Sequence, residues 1–361
     1  MLTRPRATSF ALLLVLAGLP AAAEETRGAK AAAPKPAASK EKTADKTSDK
    51  TAAKVEVAPK IGLQKPGVLI PFSRLKAEAE IPGAPAWVLA SDTLLVPSGD
   101  ALTRIDLKTN KPGEPITGFS KPCSGAVNAF KSVWIANCGN GTVVRTEPKS
   151  AKIEATLNTG VGAVHYGIAA STDSVWILAD GKTTLSRIDP ESNLVVAEVR
   201  VPAGCMNLQF AETSLWLTCA AEDKLLRINP VTNLVEQRIK VAATPKSLAF
   251  GDGSAWVLGT KEGKIDRIDP KTNKVTKTIS LEVPNTDGSI AFGEGALWAS
   301  LTGFPLTRID TTAEKETVLQ QFFGEGGGYV YTTSGTVWLA NTKQDKLLRL
   351  DTKRIIATLA E

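Results

Sequence analysis

The chain has 361 residues and a formal net charge of +6 at pH 7, from 43 basic and 37 acidic residues. The positive excess lies in residues 1–66, because residues 67–361 hold equal numbers of acidic and basic residues. A basic groove for nucleic acid along the folded part is therefore not expected.

The first 23 residues have the pattern of an export signal. Arg4 and Arg6 precede an apolar run over residues 10–19, and small residues lead up to Ala23. This order predicts a signal peptide cleaved near Ala23 and a protein released into the periplasm or outside the cell. The apolar run is about half the ~20 residues that a membrane-spanning helix needs, so no transmembrane anchor is expected.

Residues 24–66 are rich in Ala, Lys and Pro and contain few large apolar side chains. Such a segment buries too little surface to offset its ordering entropy, which predicts a disordered linker. Because ten of its residues are basic and six are acidic, a tether to an anionic membrane surface or to the cell wall is the alternative.

Residues 67–361 contain a repeat of about 41 residues. The repeat is marked by arginines 40 to 42 positions apart, at Arg104, Arg145, Arg187, Arg227, Arg267, Arg308 and Arg349. Six tryptophans keep the same spacing, at Trp134, Trp176, Trp216, Trp256, Trp298 and Trp338, and Leu94 takes this place in the first copy. A period of this length with four short strands per unit predicts an all-β, seven-bladed β-propeller.

The fifth copy shows the predicted strands most clearly, at residues 247–250, 255–258, 265–269 and 275–279. Its Trp256 is expected to pack between neighbouring blades, with the indole N–H bonded locally. Arg267 recurs in every copy, which favours a structural role in which the guanidinium pairs with an acid or with turn carbonyls, rather than a ring of anion sites.

The two ends of the repeat region are expected to meet in one blade. Residues 75–81 alternate in polarity before the first predicted strand, which covers residues 87–90. Residues 354–359 can also form a strand at the end of the last copy. Both segments are predicted as outer strands that close the ring, with their order left open.

The phrase Trp-aliphatic followed by Leu-x-Arg-Ile-Asp resembles the repeats of virginiamycin B lyase and of YVTN-type bacterial propellers. This resemblance implies a seven-bladed propeller and, in the lyase, two histidines and a glutamate around Mg²⁺ at the channel mouth. His165 is the single histidine of the chain and matches one family histidine. The equivalent places in five other blades hold Cys123, Cys205, Pro245, Asp287 and Gly327. Without a second histidine and the glutamates, intact lyase chemistry is not expected.

The four cysteines form two pairs, Cys123 with Cys138 and Cys205 with Cys219. Each pair brackets a Trp-containing hairpin, so antiparallel pairing brings its members together and predicts two disulfides. The alternative is a copper or zinc site made of Cys123, His165 and Cys205. Because neighbouring blades pack about 10 Å apart and ligands lie about 2.0–2.3 Å from one ion, the disulfides are favoured and no metal is predicted.

Ligand sites in propellers are expected where strands begin and loops converge at the channel mouth. The side chains at these places differ from blade to blade, and the candidates are His165, Tyr166, Asp180, Asn207, Lys246, Asp287, Glu325 and Tyr329. They favour a non-catalytic propeller that binds a partner protein, a peptide or a small polar ligand. The alternative is a lyase or hydrolase centred on His165, the weak catalytic candidate, with Asp180, Asp287 or Glu325. Mg²⁺ belongs only to that alternative, and no other cofactor is predicted.

Overall fold

The computed structural model describes residues 69–162, 166–179, 183–312, 314 and 318–358. These residues form an all-β propeller of seven blades, which confirms the predicted fold class. The predicted leader and linker, residues 1–66, lie outside the described residues. No helix in the described part of the chain is long and apolar enough to cross a membrane.

The strands of each blade are lettered A to D in chain order. Strand A is the innermost, and the seven A strands surround a central channel. Blade 1 contains β3 (Leu89–Ala90), β4 (Thr93–Ser98) and β5 (Ala101–Asp106), and blade 2 contains β6 (Pro122–Ala129), β7 (Ser132–Asn137), β8 (Thr142–Thr146) and β9 (Ile153–Asn158). Blade 3 contains β10 (Ile168–Ala170), β11 (Val175–Ala179), β12 (Thr184–Asp189) and β13 (Leu194–Arg200). Blade 4 contains β14 (Cys205–Ala211), β15 (Ser214–Cys219), β16 (Lys224–Asn229) and β17 (Leu234–Lys240).

The remaining blades follow the same order. Blade 5 contains β18 (Pro245–Gly251), β19 (Ser254–Gly259), β20 (Lys264–Asp269) and β21 (Lys274–Ser280). Blade 6 contains β22 (Gly288–Gly293), β23 (Ala296–Leu301), β24 (Phe304–Ile309), β25 (Val318–Phe323) and, on its outer edge, β1 (Leu69–Pro71). Blade 7 contains β26 (Gly328–Thr333), β27 (Thr336–Asn341), β28 (Lys346–Asp351) and β2 (Ala79–Pro82).

The antiparallel order gives each blade two ends. The A-to-B and C-to-D turns lie at one end, termed the lower end, and the B-to-C turns and D-to-A connections lie at the other, the upper end. The predicted strands of the fifth copy are confirmed, each extended by one or two residues at its ends, as in β18 and β19.

The tryptophans form the core between blades, as predicted. Trp256 is fully buried and packs with Ile290 and Leu297 of blade 6. Its indole N–H donates to the carbonyl of Gly251, five residues earlier, at 3.2 Å. Each large ring thus buries its apolar area and satisfies its polar atom within its own hairpin.

The prediction of Leu94 for this place in blade 1 is wrong. Leu95 pairs with Arg104 and packs toward blade 2, whereas Leu94 pairs with Ile105 and packs against Trp338 of blade 7.

Six of the seven repeated arginines donate to the next blade, whereas Arg308 donates to Gln320 in its own blade. Arg227 donates from Nε to Ser214 Oγ at 2.9 Å, and its Nη1 donates to the Pro270 carbonyl at 2.6 Å and to Asn273 Oδ1 at 3.0 Å in the turn of blade 5. The guanidinium also lies 5.1 Å from the Trp216 ring. Pairing with turn carbonyls is the structural role predicted for this residue, and it explains why the residue recurs in the repeat.

The ring is closed by the segment before the first blade. Strand β2 pairs antiparallel with β28 as the outer strand of blade 7. The prediction of an outer strand at residues 354–359 is wrong, because Thr352–Ala357 is a short helix, α1. The Asp351 carboxylate caps this helix by accepting the Arg354 N–H at 2.8 Å, and β2 already occupies the edge of β28. The N-terminal segment therefore spans two blades, adding β1 to blade 6 and β2 to blade 7.

Candidate functional site

Three of the predicted site residues meet at the upper mouth of the channel. They come from successive blades: Lys246 near the start of β18, Asp287 just before β22, and Tyr329 near the start of β26. Lys246 Nζ lies 3.1 Å from Asp287 Oδ1, which also accepts the Gly288 N–H at 3.0 Å. Burial first, and then the negative charge of Asp287, raise the pKa of the Tyr329 phenol. The arrangement places an ion pair beside a neutral hydroxyl.

Two tyrosine rings meet in the channel. The Tyr166 and Tyr331 rings meet edge to face, with centroids 6.3 Å apart, although they belong to non-adjacent blades 3 and 7. The Tyr331 hydroxyl donates to the Pro85 carbonyl at 2.9 Å. Burial raises the pKa of both phenols. Together with Tyr329 these are all three tyrosines of the chain, so the phenols concentrate at the channel.

Asn207 reaches the channel through a bulge in β14. The register between β14 and β15 shifts at this position, and Asn207 adopts a positive φ of 53°. Its side chain is 1% exposed and its Oδ1 accepts from Gln209 Nε2 at 3.3 Å. A bulge re-aims a side chain relative to the pleat. Gln209 and Tyr331 were not predicted as site residues, and their place on strand A is the signal that could have found them.

Glu325 lies apart from the ion pair, on the exposed connection between β25 and β26. The glycine run that follows it has a steric role. A side chain at Gly327, which has a φ of +115°, would lie 2.1 Å from the Leu301 carbonyl. The run therefore allows a close approach of two backbones and is more than a loose connection.

His165 and Asp180, the centre of the predicted catalytic alternative, lie outside the described residues. Tyr166, the neighbour of His165, is described and faces the channel as stated above. Of the predicted site residues, the structure brings Lys246 and Asp287 into contact near Tyr329, and it places Tyr166 and Asn207 in the wall of one channel cavity.

Both predicted disulfide pairs are present, with Cα separations of 5.8 Å for Cys123–Cys138 and 3.9 Å for Cys205–Cys219. The sulfurs of Cys123 and Cys205 are thus bonded to their partners, which leaves no thiolates for the alternative metal site. Disulfides are compatible with an oxidising compartment.

The donors in the described residues of the upper mouth do not fit the lyase's magnesium set. No group of three His, Cys, Asp or Glu side chains close enough to hold an ion occurs in that part of the chain. The Asp287 carboxylate is engaged by Lys246. No reaction step through a metal is derived from these residues.

Comparison with solved structures supports the fold. A streptogramin B lyase has a TM-score of 0.63 at 17% identity, over 75% of this chain and 94% of that one. BamB from Moraxella catarrhalis has a TM-score of 0.57 at 10% identity, over 77% and 99%. The Neurospora crassa Pan2 WD40 domain has a TM-score of 0.63 at 10% identity, over 78% and 97%. No protein-family model matches the sequence, and no curated protein matches it. At these identities the likeness extends to the fold alone.

Proposed function

We propose that this protein is an exported, non-catalytic propeller whose upper channel mouth binds a partner protein, a peptide or a small polar ligand. The observation that carries the proposal is the convergence of Lys246, Asp287 and Tyr329 from three different blades. The repeated tryptophans and arginines are used for packing, whereas these three residues occur once each and lie at the rim. Their mixture of cation, anion and neutral hydroxyl suits a ligand with several polar groups.

Export is supported by the leader pattern and by the two disulfides, and it places the binding step in the periplasm or outside the cell. We expect the partner to be a polar molecule or a protein with a polar surface, and we do not expect it to be a nucleic acid. BamB and the WD40 domains share the fold with this chain, and a lyase shares it too, so the site chemistry decides between binding and catalysis.

The test combines affinity capture with a thermal-shift panel of polar metabolites and peptides. We expect a ligand or stable partner whose binding falls at least about tenfold in Lys246→Ala, because a charge-assisted contact contributes roughly 1.5–3 kcal/mol. The control is Lys264→Ala, which removes a lysine paired with Glu262 on the same upper end. Equal binding by the parent and Lys246→Ala would contradict the proposal.

The lyase or hydrolase alternative is tested on the same protein by assaying lactone and ester turnover in the parent and in His165→Ala. Turnover that disappears in His165→Ala while the thermal unfolding temperature is retained would replace the binding proposal with an enzyme. Absence of turnover in the parent, together with a captured partner that depends on Lys246, supports the non-catalytic function.

A further inference from the structure

The junction between blades 7 and 1 contains a cavity of about 400 Å³. Ile81 and Leu347 of blade 7 form one wall, and Val96, Thr103 and Ile105 of blade 1 form the other. None of the described residues that line this cavity also lines the channel cavity. Because protein interiors contain few voids larger than a water molecule, a space of this size between two blades has a specific structural cause.

The cause is a missing side chain. In blades 3, 4 and 5 the residue after the outer strand donates its backbone N–H to the B-to-C turn of the same blade at 2.8–3.1 Å. In blade 7 the Gly83 N–H makes the same bond, to the Asp345 carbonyl at 2.9 Å, so Gly83 occupies the equivalent position. The other three blades have a buried aliphatic residue there, at Val201, Val241 and Leu281.

Gly83 leaves this place empty. It has a φ of +94°, and a Cβ at this residue would have no atom within 4 Å. Blade 6 also has a glycine at this position, Gly324, but there the Phe72 Cβ lies 3.4 Å from the place of the absent side chain. Among the described residues, nothing therefore replaces the missing side chain at the junction of blades 7 and 1.

The outer part of blade 1 leaves the cavity open to solvent. This blade has three strands, and residues 111–116 lie where a fourth strand would. Two isolated bridges join them to β5, one between Ile105 and Pro112 and one between Leu102 and Ile116. Pro112 is exposed, as is Ser98 at the end of β4, and both line the cavity. These two residues mark its opening.

The lining is apolar and uncharged. Besides the aliphatic walls it includes four prolines, at Pro82, Pro85, Pro97 and Pro112. Ser98 and Thr103 contribute the polar side chains, and no charged side chain lines the cavity in the described part of the chain. A buried water requires about two to four polar partners, so most of this space is a poor site for water.

The volume of the cavity sets the size of a ligand. An apolar cavity of about 150 Å³ binds benzene, which corresponds to roughly 25 Å³ for each non-hydrogen atom. On this scale the cavity between blades 7 and 1 accommodates an apolar group of roughly sixteen non-hydrogen atoms. Its volume also falls within the range of about 300–1,000 Å³ that is typical of small-molecule pockets.

We propose that the cavity between blades 7 and 1 binds the uncharged apolar group of a small molecule, aromatic or aliphatic, with any polar end of that molecule at the opening beside Ser98. Binding removes apolar surface of the ligand and of the cavity walls from water. The site is distinct from the polar upper mouth, because Lys246, Asp287 and Tyr329 do not line it.

The test is a fluorescence titration of the full chain with N-phenyl-1-naphthylamine, an uncharged aromatic probe of this size whose emission rises in apolar surroundings. We expect binding that 1-octanol reverses and glucose does not. Thr103→Phe and Val96→Phe each add a ring to a wall of the cavity. Each should raise the dissociation constant of the probe at least about tenfold, because the ring takes the space of the ligand.

The matched control is Thr276→Phe, which adds the same ring at an exposed position of β21 in blade 5. It should leave the dissociation constant unchanged. Circular dichroism and thermal unfolding establish which of the variants are folded.

A second measurement leaves the cavity walls intact. All four cysteines are paired in disulfides, so Ser98→Cys introduces a single free thiol at the opening. With the probe at about four times its dissociation constant, alkylation of this thiol by iodoacetamide should slow about fivefold, because the unoccupied fraction falls as 1/(1 + [L]/Kd). Thr276→Cys, at the exposed position in blade 5, should react at the same rate with and without the probe.

Four outcomes would overturn the proposal. The parent could fail to bind the probe, or glucose could displace the probe as well as 1-octanol does. The folded Thr103→Phe and Val96→Phe variants could bind with the affinity of the parent, which would locate the probe elsewhere, as in the channel. The thiol of Ser98→Cys could also react equally fast with and without the probe, and this result decides the question if neither phenylalanine variant folds.

Discussion

At the residue scale, one side chain accounts for the regularity of the repeat. Arg227 joins three elements: its own hairpin through Ser214, the Trp216 ring, and the turn of the next blade through Pro270 and Asn273. A planar guanidinium offers donors in fixed directions, and a lysine ammonium cannot reproduce them all. The recurrence of arginine therefore follows from geometry and needs no ligand.

Arg227→Lys is expected to lower the free energy of unfolding by about 1–3 kcal/mol, since several hydrogen bonds to the half-buried head group are lost. Urea unfolding followed by tryptophan fluorescence measures the change. The control is Arg200→Lys, an exposed arginine whose hydrogen bond to Thr183 Oγ1 is 3.4 Å long, and it should change stability by less than about 0.5 kcal/mol. Equal effects of the two substitutions would contradict the clamp.

At the element scale, the C-to-D turns and the outer strands depend on different side-chain interactions. Most of these turns begin with an acid, and that of blade 4 with Asn229, whose side-chain oxygen accepts backbone N–H groups within the turn. In blade 2 the Glu147 carboxylate accepts from Ser150 N at 2.5 Å and from Lys149 N at 3.0 Å. These bonds, with a further one from the Ser150 hydroxyl, lower the pKa of Glu147 to about 2 from its usual 4.5. Similar bonds lower the pKa of Asp106, Asp189 and Asp269.

These depressed pKa values set an acid limit to stability. A carboxylate with a folded-state pKa below its unfolded value stabilises the protein above the unfolded pKa, and the contribution is lost as pH falls through the folded pKa. For Glu147 the loss is expected between about pH 4.5 and pH 2. Urea unfolding across this range should show a shallower decline in Glu147→Gln than in the parent, and identical slopes would refute the assignment.

The outer strand β13 exposes two apolar side chains, of which Leu194 has an equally exposed counterpart in Leu234 of β17 and Val196 is matched there by Glu236. Leu194 is 62% exposed and Val196 is 55% exposed, whereas the register of β9 places Lys152 and Glu154 at the corresponding positions of blade 2. Charged side chains on outer strands oppose edge-to-edge pairing. The edge of blade 3 lacks that protection at these two positions.

Leu194→Lys/Val196→Glu is expected to reduce self-association at high concentration, measured by dynamic light scattering, with a stability change of less than about 0.5 kcal/mol. The reciprocal change in blade 5, Lys274→Leu/Thr276→Val, should increase association. If neither variant differs from the parent, the exposed edge of β13 is not an association site.

At the scale of the whole molecule, one segment holds the ring closed. Its strand β2 completes blade 7 and leads directly into blade 1, which joins the two ends of the ring, and its strand β1 adds to the outer edge of blade 6. Ile70 in β1 is fully buried in a cluster with Trp298, Phe322 and Ile355. The closure thus depends on buried apolar contacts as well as on strand pairing.

Ile70→Ala is expected to lower the free energy of unfolding by about 2–5 kcal/mol, the usual cost of a buried cavity of this size. The control is Ile356→Ala on α1, where the side chain is 46% exposed and the change should be less than about 0.5 kcal/mol. Chemical unfolding monitored by circular dichroism measures both. A small effect at Ile70 would show that β2 alone closes the ring.

The sequence by itself determined the seven blades, the inter-blade tryptophans and the cysteine pairs, because every copy of the repeat forms the same local contacts. It also placed Lys246, Asp287 and Tyr329 at the rim. It did not reveal the contact of Tyr166 with Tyr331 across the channel, which joins residues 165 positions apart. The helix at Thr352–Ala357 was also decided by tertiary structure, since β2 takes the edge that the last segment would otherwise fill. Contacts of this kind depend on how the ring closes, and no local pattern encodes them.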